Sequence, residues 1–247
     1  PEEVQDWDEL LTSLRDLANT DLNQASLTLA RSESAYPYRS VCIKKDISRD
    51  ALAAIETHRF NLPGVMIKVR PVRDYTYGHL AAHLLGYMGE ISPQQLKDAR
   101  FQGTRPGDLV GKMGVEGKWQ VPLSGLRGGM QVEVDAAGRK IQLLSRKDPV
   151  PGANVWLTID KRLQDLSEKL LIGKSGAVVA MNPKNGQILA LASSPSFDPN
   201  RFIEGLDVKT WQRLVSSKNH PLQNRSLSGQ YPPGSVFKIV TGTAGLE

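Results

Sequence analysis

"SGAVVAMNPKNGQILALASS", residues 175–194, reads as a β-hairpin. Two nearly continuous apolar runs flank five residues, Asn182 to Gly186, that are dense in turn formers. Strands this apolar are expected to be covered on both faces, in the middle of a sheet packed by helices. The second half of the chain is therefore expected to be a sheet with helices laid on it.

Upstream of the hairpin, "RKDPVPGANVWLTIDKRLQ" (146–164) carries Pro149, Pro151 and Gly152 and marks a boundary near residue 150. Beyond it, Asn154 to Ile159 is expected to be a strand. Asp160 then caps a helix with Leu163, Leu166 and Leu170 on one stripe.

Residues 1–150 have a different texture. Val4, Trp7, Leu10, Leu11, Leu14 and Leu17 follow the three-and-four spacing of an amphipathic helix. "VCIKKDIS" (41–48) and "PGVMIKVRPVRDY" (63–75) read as short strands around a helix capped by Ser48 or Asp50. "GHLAAHLLGYMGEIS" (78–92) reads as helix. Gly- and Pro-rich connections follow, with strand-like "MQVEVDA" inside the second. The alternation implies an irregular, β-rich module, and the whole chain an α+β fold in two parts, 1–150 and 151–247.

Composition narrows the function. The 247 residues carry 31 Lys and Arg against 26 Asp and Glu, a net charge of +5. The two signs are interspersed with no basic run, so nucleic acid is not an expected partner. The single cysteine, Cys42, makes no intrachain disulfide. No apolar run approaches the ~18 residues of a membrane span. The chain begins at Pro1, so an upstream anchor is expected to lie outside it.

The chemistry concentrates in "QYPPGSVFKIVTG", residues 230–242. Pro232 and Pro233 discourage helix before Gly234, so a helix starting near Ser235 has a defined entry. Val236, Phe237, Ile239 and Val240 make that helix apolar on nearly all sides, which predicts burial. Ser235 and Lys238, at i and i+3, share a face. A lysine in an apolar setting is more easily held as a neutral amine and can take the serine's proton, giving an activated acyl-transfer nucleophile. Four residues with two fixed are a weak signal; the alternative is a helix-capping serine with a solvated lysine.

"NRSLSGQYPPGSVFKIVTGTAGLE" (224–247) resembles the active-site segment of class B penicillin-binding proteins, the peptidoglycan D,D-transpeptidases. The resemblance covers nearly the whole chain. "RPVRDYTYGHLAAHLLGYMGEIS" (70–92) is similar to a segment of the family's non-catalytic pedestal, with Thr76 where proline is usual. "GKMGVEGKWQVPLSGLRGGMQVEVDAAGR" (111–139) is similar to the pedestal's glycine motifs, and 151–164 and 175–202 to the entry of the penicillin-binding transpeptidase domain. The cell-elongation subgroup is the nearest match and the division-specific subgroup second.

The resemblance implies that Ser235 is the acylated nucleophile, Lys238 its proton-transfer partner and the Ser235 N–H an oxyanion donor. It implies a peptidoglycan stem peptide ending in D-Ala-D-Ala as substrate, acylation by β-lactams, and no cofactor. It further implies a membrane glycosyltransferase and a cell-shape scaffold protein as partners, and a periplasmic location on the inner membrane through an absent N-terminal anchor. Arg73, Tyr75, Gly78, Gly114, Glu116 and Gly138 are expected to be structural within the pedestal.

Two further family motifs, S-x-N and K-[ST]-G, belong downstream of the serine. Only nine residues follow Lys238, so the expectation is an incomplete transpeptidase domain, inactive alone. Ser217-Lys218-Asn219 and Lys174-Ser175-Gly176 carry the right letters but precede the nucleophile and are expected to be a loop and a strand start. His79 and His83 have a metal-clamp spacing, but a packed helix explains them better, so no metal is expected. Two other readings remain: a partner-binding pedestal module, and a β-lactam sensor or β-lactamase sharing S-x-x-K.

Overall fold

The computed structural model describes residue 4, residues 6–19, residue 21, and residues 41–69, 71–134 and 140–246. The chain divides into two compact units, Pro1–Pro71 with Val132–Leu144, and Val72–Gln131 with Ser145–Glu247.

The first unit is built on two helices, α1 (Trp7–Ala18) and α2 (Arg49–Thr57). Asp6 caps α1, its Oδ1 accepting from the N–H groups of Asp8 and Glu9 at 2.9 and 3.0 Å. At the other end Asn19 turns left-handed, and the Lys44 ammonium donates to the carbonyls of Ala18 and Asn19, placing a cation at the negative end of the helix dipole. Ser48, and not Asp50, caps α2 through the Ala51 N–H. Leu10, Leu14 and Ala18 of α1 close with Ala51 and Ile55 of α2 and with Leu62 into one apolar cluster.

The segments 41–48 and 63–75, expected as strands, join no sheet among the described residues. Ile43, Ile47, Val65 and Ile67 lie against the helix cluster instead. Their alternating apolar pattern is satisfied by packing on helices, with no ladder required.

In the second unit only four residues of the expected helix over 78–92 are helical, α3 (Ala82–Leu85). Ala81 before it has φ +54°, Gly86 after it has φ +83°, and the chain passes directly into β1 (Met88–Glu90). β1 pairs antiparallel with β2 (Leu109–Gly111), Met88 opposite Gly111 and Glu90 opposite Leu109. Two short helices, α4 (Gly114–Lys118) and α5 (Gln120–Ser124), occupy a stretch that reads in sequence as a glycine-rich connection. Gln120 fixes them to the sheet, its Oε1 accepting from the Gly111 N–H at 2.6 Å. The expected strand "MQVEVDA" is present as far as Val134, as β3 (Gly129–Val134) paired with β4 (Lys140–Lys147), of which Val132–Leu144 count with the first unit; Asp135 and Ala136 lie outside the described residues. Residues 154–159 form no strand; Thr158 Oγ1 donates to the Ile188 carbonyl of the hairpin that follows, and the next residue but one, Asp160, donates its N–H to the Leu189 carbonyl.

Asp160 caps α6 (Lys161–Leu170) as its sequence implies, accepting from the N–H groups of Arg162 and Leu163. The hairpin is β5 (Gly176–Met181) and β6 (Ile188–Ser194), in antiparallel register from Gly176 opposite Ser194 to Ala180 opposite Ala190. The inward face of α6 differs from expectation. Gln164 and Ser167 are its buried residues, whereas Leu166 and Leu170 are exposed. Gln164, fully buried, lends its amide to the backbone of β6: Oε1 accepts from the Leu191 N–H at 2.7 Å and Nε2 donates to the Leu191 carbonyl at 3.1 Å. A polar side chain so placed satisfies backbone groups that a leucine would strand, at ~1–3 kcal/mol for each unsatisfied group. β5 also departs from the expected double cover, since Val179 and Met181 are exposed on one face.

α7 (Asn200–Glu204), α8 (Val208–Ser216), α9 (Arg225–Ser228) and α10 (Lys238–Ala244) complete the described elements. The fold is a mixture of helices and antiparallel two-stranded sheets. Among the described residues no helix is long and apolar enough to cross a membrane.

Candidate active site

The residues that the sequence marks as structural come together in the second unit. Arg73 reaches Glu116 with two nitrogens, Nε to Oε1 at 2.7 Å and Nη2 to Oε2 at 3.2 Å. The Glu116 side chain is 9% exposed and that of Arg73 37%. The Tyr75 hydroxyl reaches Glu116 Oε1 at 3.5 Å, and burial together with that carboxylate pushes the phenol's pKa well above its ordinary range. Asn200 pairs with the Tyr75 backbone in both directions, accepting from its N–H at 2.9 Å and donating to its carbonyl at 3.0 Å. Gly78 and Gly114 both have positive φ. Gly138 lies outside the described residues.

His83 belongs to packing. It is 3% exposed, its Nε2–H donates to the Pro221 carbonyl at 2.7 Å, and its ring meets Phe197 edge-on. His79 is exposed in the turn before α3, not on one helix face with His83. Among the described residues no group of three or more His, Cys, Asp or Glu is arranged to hold a metal ion. Burial lowers the His83 pKa below its ordinary 6.5. The folded state then binds fewer protons than the unfolded one, so His83's contribution is complete above the unfolded pKa and is lost as pH falls below it. Tm is expected to fall between pH 7.5 and 5.5 by thermal melting. His83→Gln, which keeps a donor for Pro221 and cannot titrate, is expected to flatten that slope; an unchanged slope would assign it to other groups.

Ser217-Lys218-Asn219 is a turn held from behind. Arg225, 9% exposed, donates from Nη2 to the Asn219 carbonyl at 2.7 Å and from Nη1 to the His220 carbonyl at 3.2 Å. Lys174-Ser175-Gly176 leads into β5, and the Lys174 carbonyl accepts from Ser194 Oγ.

Ser235 and Lys238 lie where the chain leaves this frame. After Pro233, Gly234 has φ +51°, and Gly234–Phe237 form a 3-10 turn that runs into α10. Ser235 lies within that turn and Lys238, three residues on, opens α10. The first N–H of the turn with a partner is that of Val236, which donates to the Pro233 carbonyl at 3.1 Å. Among the described residues the Ser235 N–H has no acceptor, as expected at a helix start. Both Ser235 and Lys238 are exposed, and no hydrogen bond joins their side chains among the described residues.

The expected burial of this helix is not met. Val236, Phe237, Ile239 and Val240 are all more than half exposed. The apolar pattern specifies a helix that wants cover on every side; among the described residues nothing covers it.

Residues 1–157 match the family model of the penicillin-binding protein dimerisation domain, and residues 176–247 that of the penicillin-binding protein transpeptidase domain. The chain belongs to the penicillin-binding proteins. It is 35% identical over 248 residues to the peptidoglycan D,D-transpeptidase MrdA of Acinetobacter baumannii, covering 99% of this chain and 36% of that protein. A solved complex of penicillin-binding protein PBP2 with MreC from Helicobacter pylori superposes with a TM-score of 0.78 at 28% identity, covering 98% of this chain and 46% of that one. The PBP2 of Pseudomonas aeruginosa, solved with WCK 5153, gives a TM-score of 0.58 at 38% identity over 71% of this chain and 35% of that one. The chain thus spans less than half the length of these relatives. The resemblance to the penicillin-binding proteins holds over nearly the whole chain, and its relatives include proteins named MrdA and PBP2.

Sequence reasoning missed Gln164, Asn200 and Arg225 as organising residues. Asn200 follows an Asp-Pro turn and Arg225 follows an asparagine cap, so local signals mark the loops. Nothing in the pattern marks which side chain turns inward.

Proposed function

We propose that the whole protein is a serine-type peptidoglycan D,D-transpeptidase of cell elongation, with residues 1–150 as its pedestal and 151–247 as the start of its transpeptidase domain. The observation that supports the reading is the Pro-Pro-Gly-led turn at Gly234–Phe237, with Ser235 in it and Lys238 just after it, both accessible. Lys238 takes the Ser235 proton, and Oγ attacks the penultimate carbonyl of a stem peptide ending in D-Ala-D-Ala. The unpaired Ser235 N–H is suited to the developing oxyanion. The bond to the last D-alanine breaks, D-alanine leaves with the proton, and an amine of a neighbouring strand resolves the ester into a crosslink. β-Lactams acylate the same oxygen.

The partners proposed are a cell-shape scaffold protein of the MreC kind, supported by the Helicobacter pylori complex, and a membrane glycosyltransferase, supported by the resemblance alone. The place proposed is the periplasmic face of the inner membrane, as the relatives' family suggests.

The test is labelling of the full-length protein with a fluorescent penicillin. One label per molecule is expected on the wild type and none on Ser235→Ala. Lys238→Met is expected to slow acylation by about a thousandfold, within the ordinary range for loss of a general base. Labelling that survives in Ser235→Ala, or no labelling of the wild type, overturns the assignment.

A further inference from the structure

Every hydrogen bond that residues 230–246 make among the described residues closes within that segment. The last residues before Ser235 with bonds to distant parts of the second unit are Asn224 and Arg225. Asn224 Nδ2 donates to the His83 carbonyl at 3.2 Å, and the Arg225 N–H donates to Ser193 Oγ of β6 at 2.9 Å. Ser193, 3% exposed, passes its own proton to the Gln223 carbonyl at 3.2 Å. The Arg225 guanidinium meanwhile gathers the carbonyls of Asn219 and His220. One side chain therefore closes the loop 219–225 on itself while its backbone pins the loop to the sheet.

The tether continues toward the serine. The Gly229 N–H donates to the Arg225 carbonyl at 3.1 Å. A Cβ at Gly229 would stand 2.5 Å from that same carbonyl oxygen and 2.8 Å from the Tyr231 ring, so the chain reverses tightly against Arg225 before entering Pro232 and Pro233. Those prolines allow little further adjustment. The direction in which the Ser235 turn is launched is set at Arg225.

A buried guanidinium is costly to desolvate and is retained where its several donors fix a geometry. Among the described residues its side-chain partners are carbonyls, with no carboxylate paired to it. Its role is shaping of a loop, not neutralisation of an acid.

We propose that Arg225, acting through Ser193 and the 219–229 loop, is a positioning residue for Ser235; the inference rests on Ser235 being the nucleophile. The test uses the full-length protein and a fluorescent penicillin, separating the saturation constant from the acylation rate at saturation, with thermal melting alongside. Arg225→Met is expected to lower the acylation rate per folded molecule about tenfold or more, since small misplacements of a reacting group are felt at that scale. The saturation constant is expected to hold. Arg225→Lys, which keeps a donor but reaches one carbonyl at a time, is expected to recover part of the rate. Should Arg225→Met not fold, Ser193→Ala, which removes only the link to β6, is expected to give the same fall in rate. Folded variants that acylate at the wild-type rate overturn the proposal. Wild type that is not labelled, or Ser235→Ala that is, fails the nucleophile assignment itself and is read on those two proteins alone.

Discussion

Gly86→Ala is expected to leave the chain unable to reach its native fold, at a cost upwards of about 4 kcal/mol. Gly86 has φ +83°, a region that disfavours any side chain, and a Cβ there would lie 1.8 Å from the Met113 carbonyl oxygen and 2.5 Å from its carbon. The approach is reciprocal, because a Cβ on Gly114 would lie 2.5 Å from the Leu84 carbonyl oxygen. These are backbone atoms, so no rotamer change relieves them. Separating the two chains would break the Lys112 N–H bond to the Tyr87 carbonyl and with it the β1–β2 ladder. Gly78 supplies the control: its φ is +56° but a Cβ there meets nothing within 4 Å. Gly78→Ala should cost only the ~1–2 kcal/mol of left-handed backbone. Urea unfolding followed by tryptophan fluorescence distinguishes the two. Equal midpoints for both variants would show that the α3 and α4 backbones part at little cost.

Arg73→Met is expected to destabilise by about 3 kcal/mol, because it strands a buried carboxylate. Glu116→Gln should cost less, about 1 kcal/mol. Arg73, at 37% exposure, can turn its guanidinium to water, whereas Glu116 has no such exit. The double variant is expected to be more stable than Arg73→Met alone, since neither charge is then left buried without its partner. Additive losses across that cycle would mean that the two side chains contribute separately, through packing.

What the sequence discloses here is what is local. The Asp160 and Ser48 caps, the α1 stripe and the turn at 182–186 are each fixed by neighbours within a few residues, and each is found where the residues point. The failures are failures of partnership. Alternation in 41–48 and 63–75 marks apolar residues that need cover, and helices provide it as well as a sheet does. The leucines of α6 advertise an inner face that Gln164 and Ser167 occupy, because β6 presents backbone groups there that require hydrogen bonds. Around Ser235 the spacing and the prolines were legible, whereas the α-helix expected from near Ser235 starts only at Lys238, after a 3-10 turn; the dry surroundings expected for Lys238 were not found, since an apolar helix states a demand for burial and not its fulfilment. Arg73 and Glu116 were each marked as structural through the resemblance, but that they pair was not legible, as 43 positions separate them.

The amide of Gln164 has a consequence for how this domain can grow. Facing away from β5, the rim of β6 is stoppered: the Asp160 N–H takes the Leu189 carbonyl and Gln164 takes both polar groups of Leu191. A new ribbon of chain, whether contributed by the same polypeptide or by a stranger, meets those three groups already taken, which favours docking alongside β5.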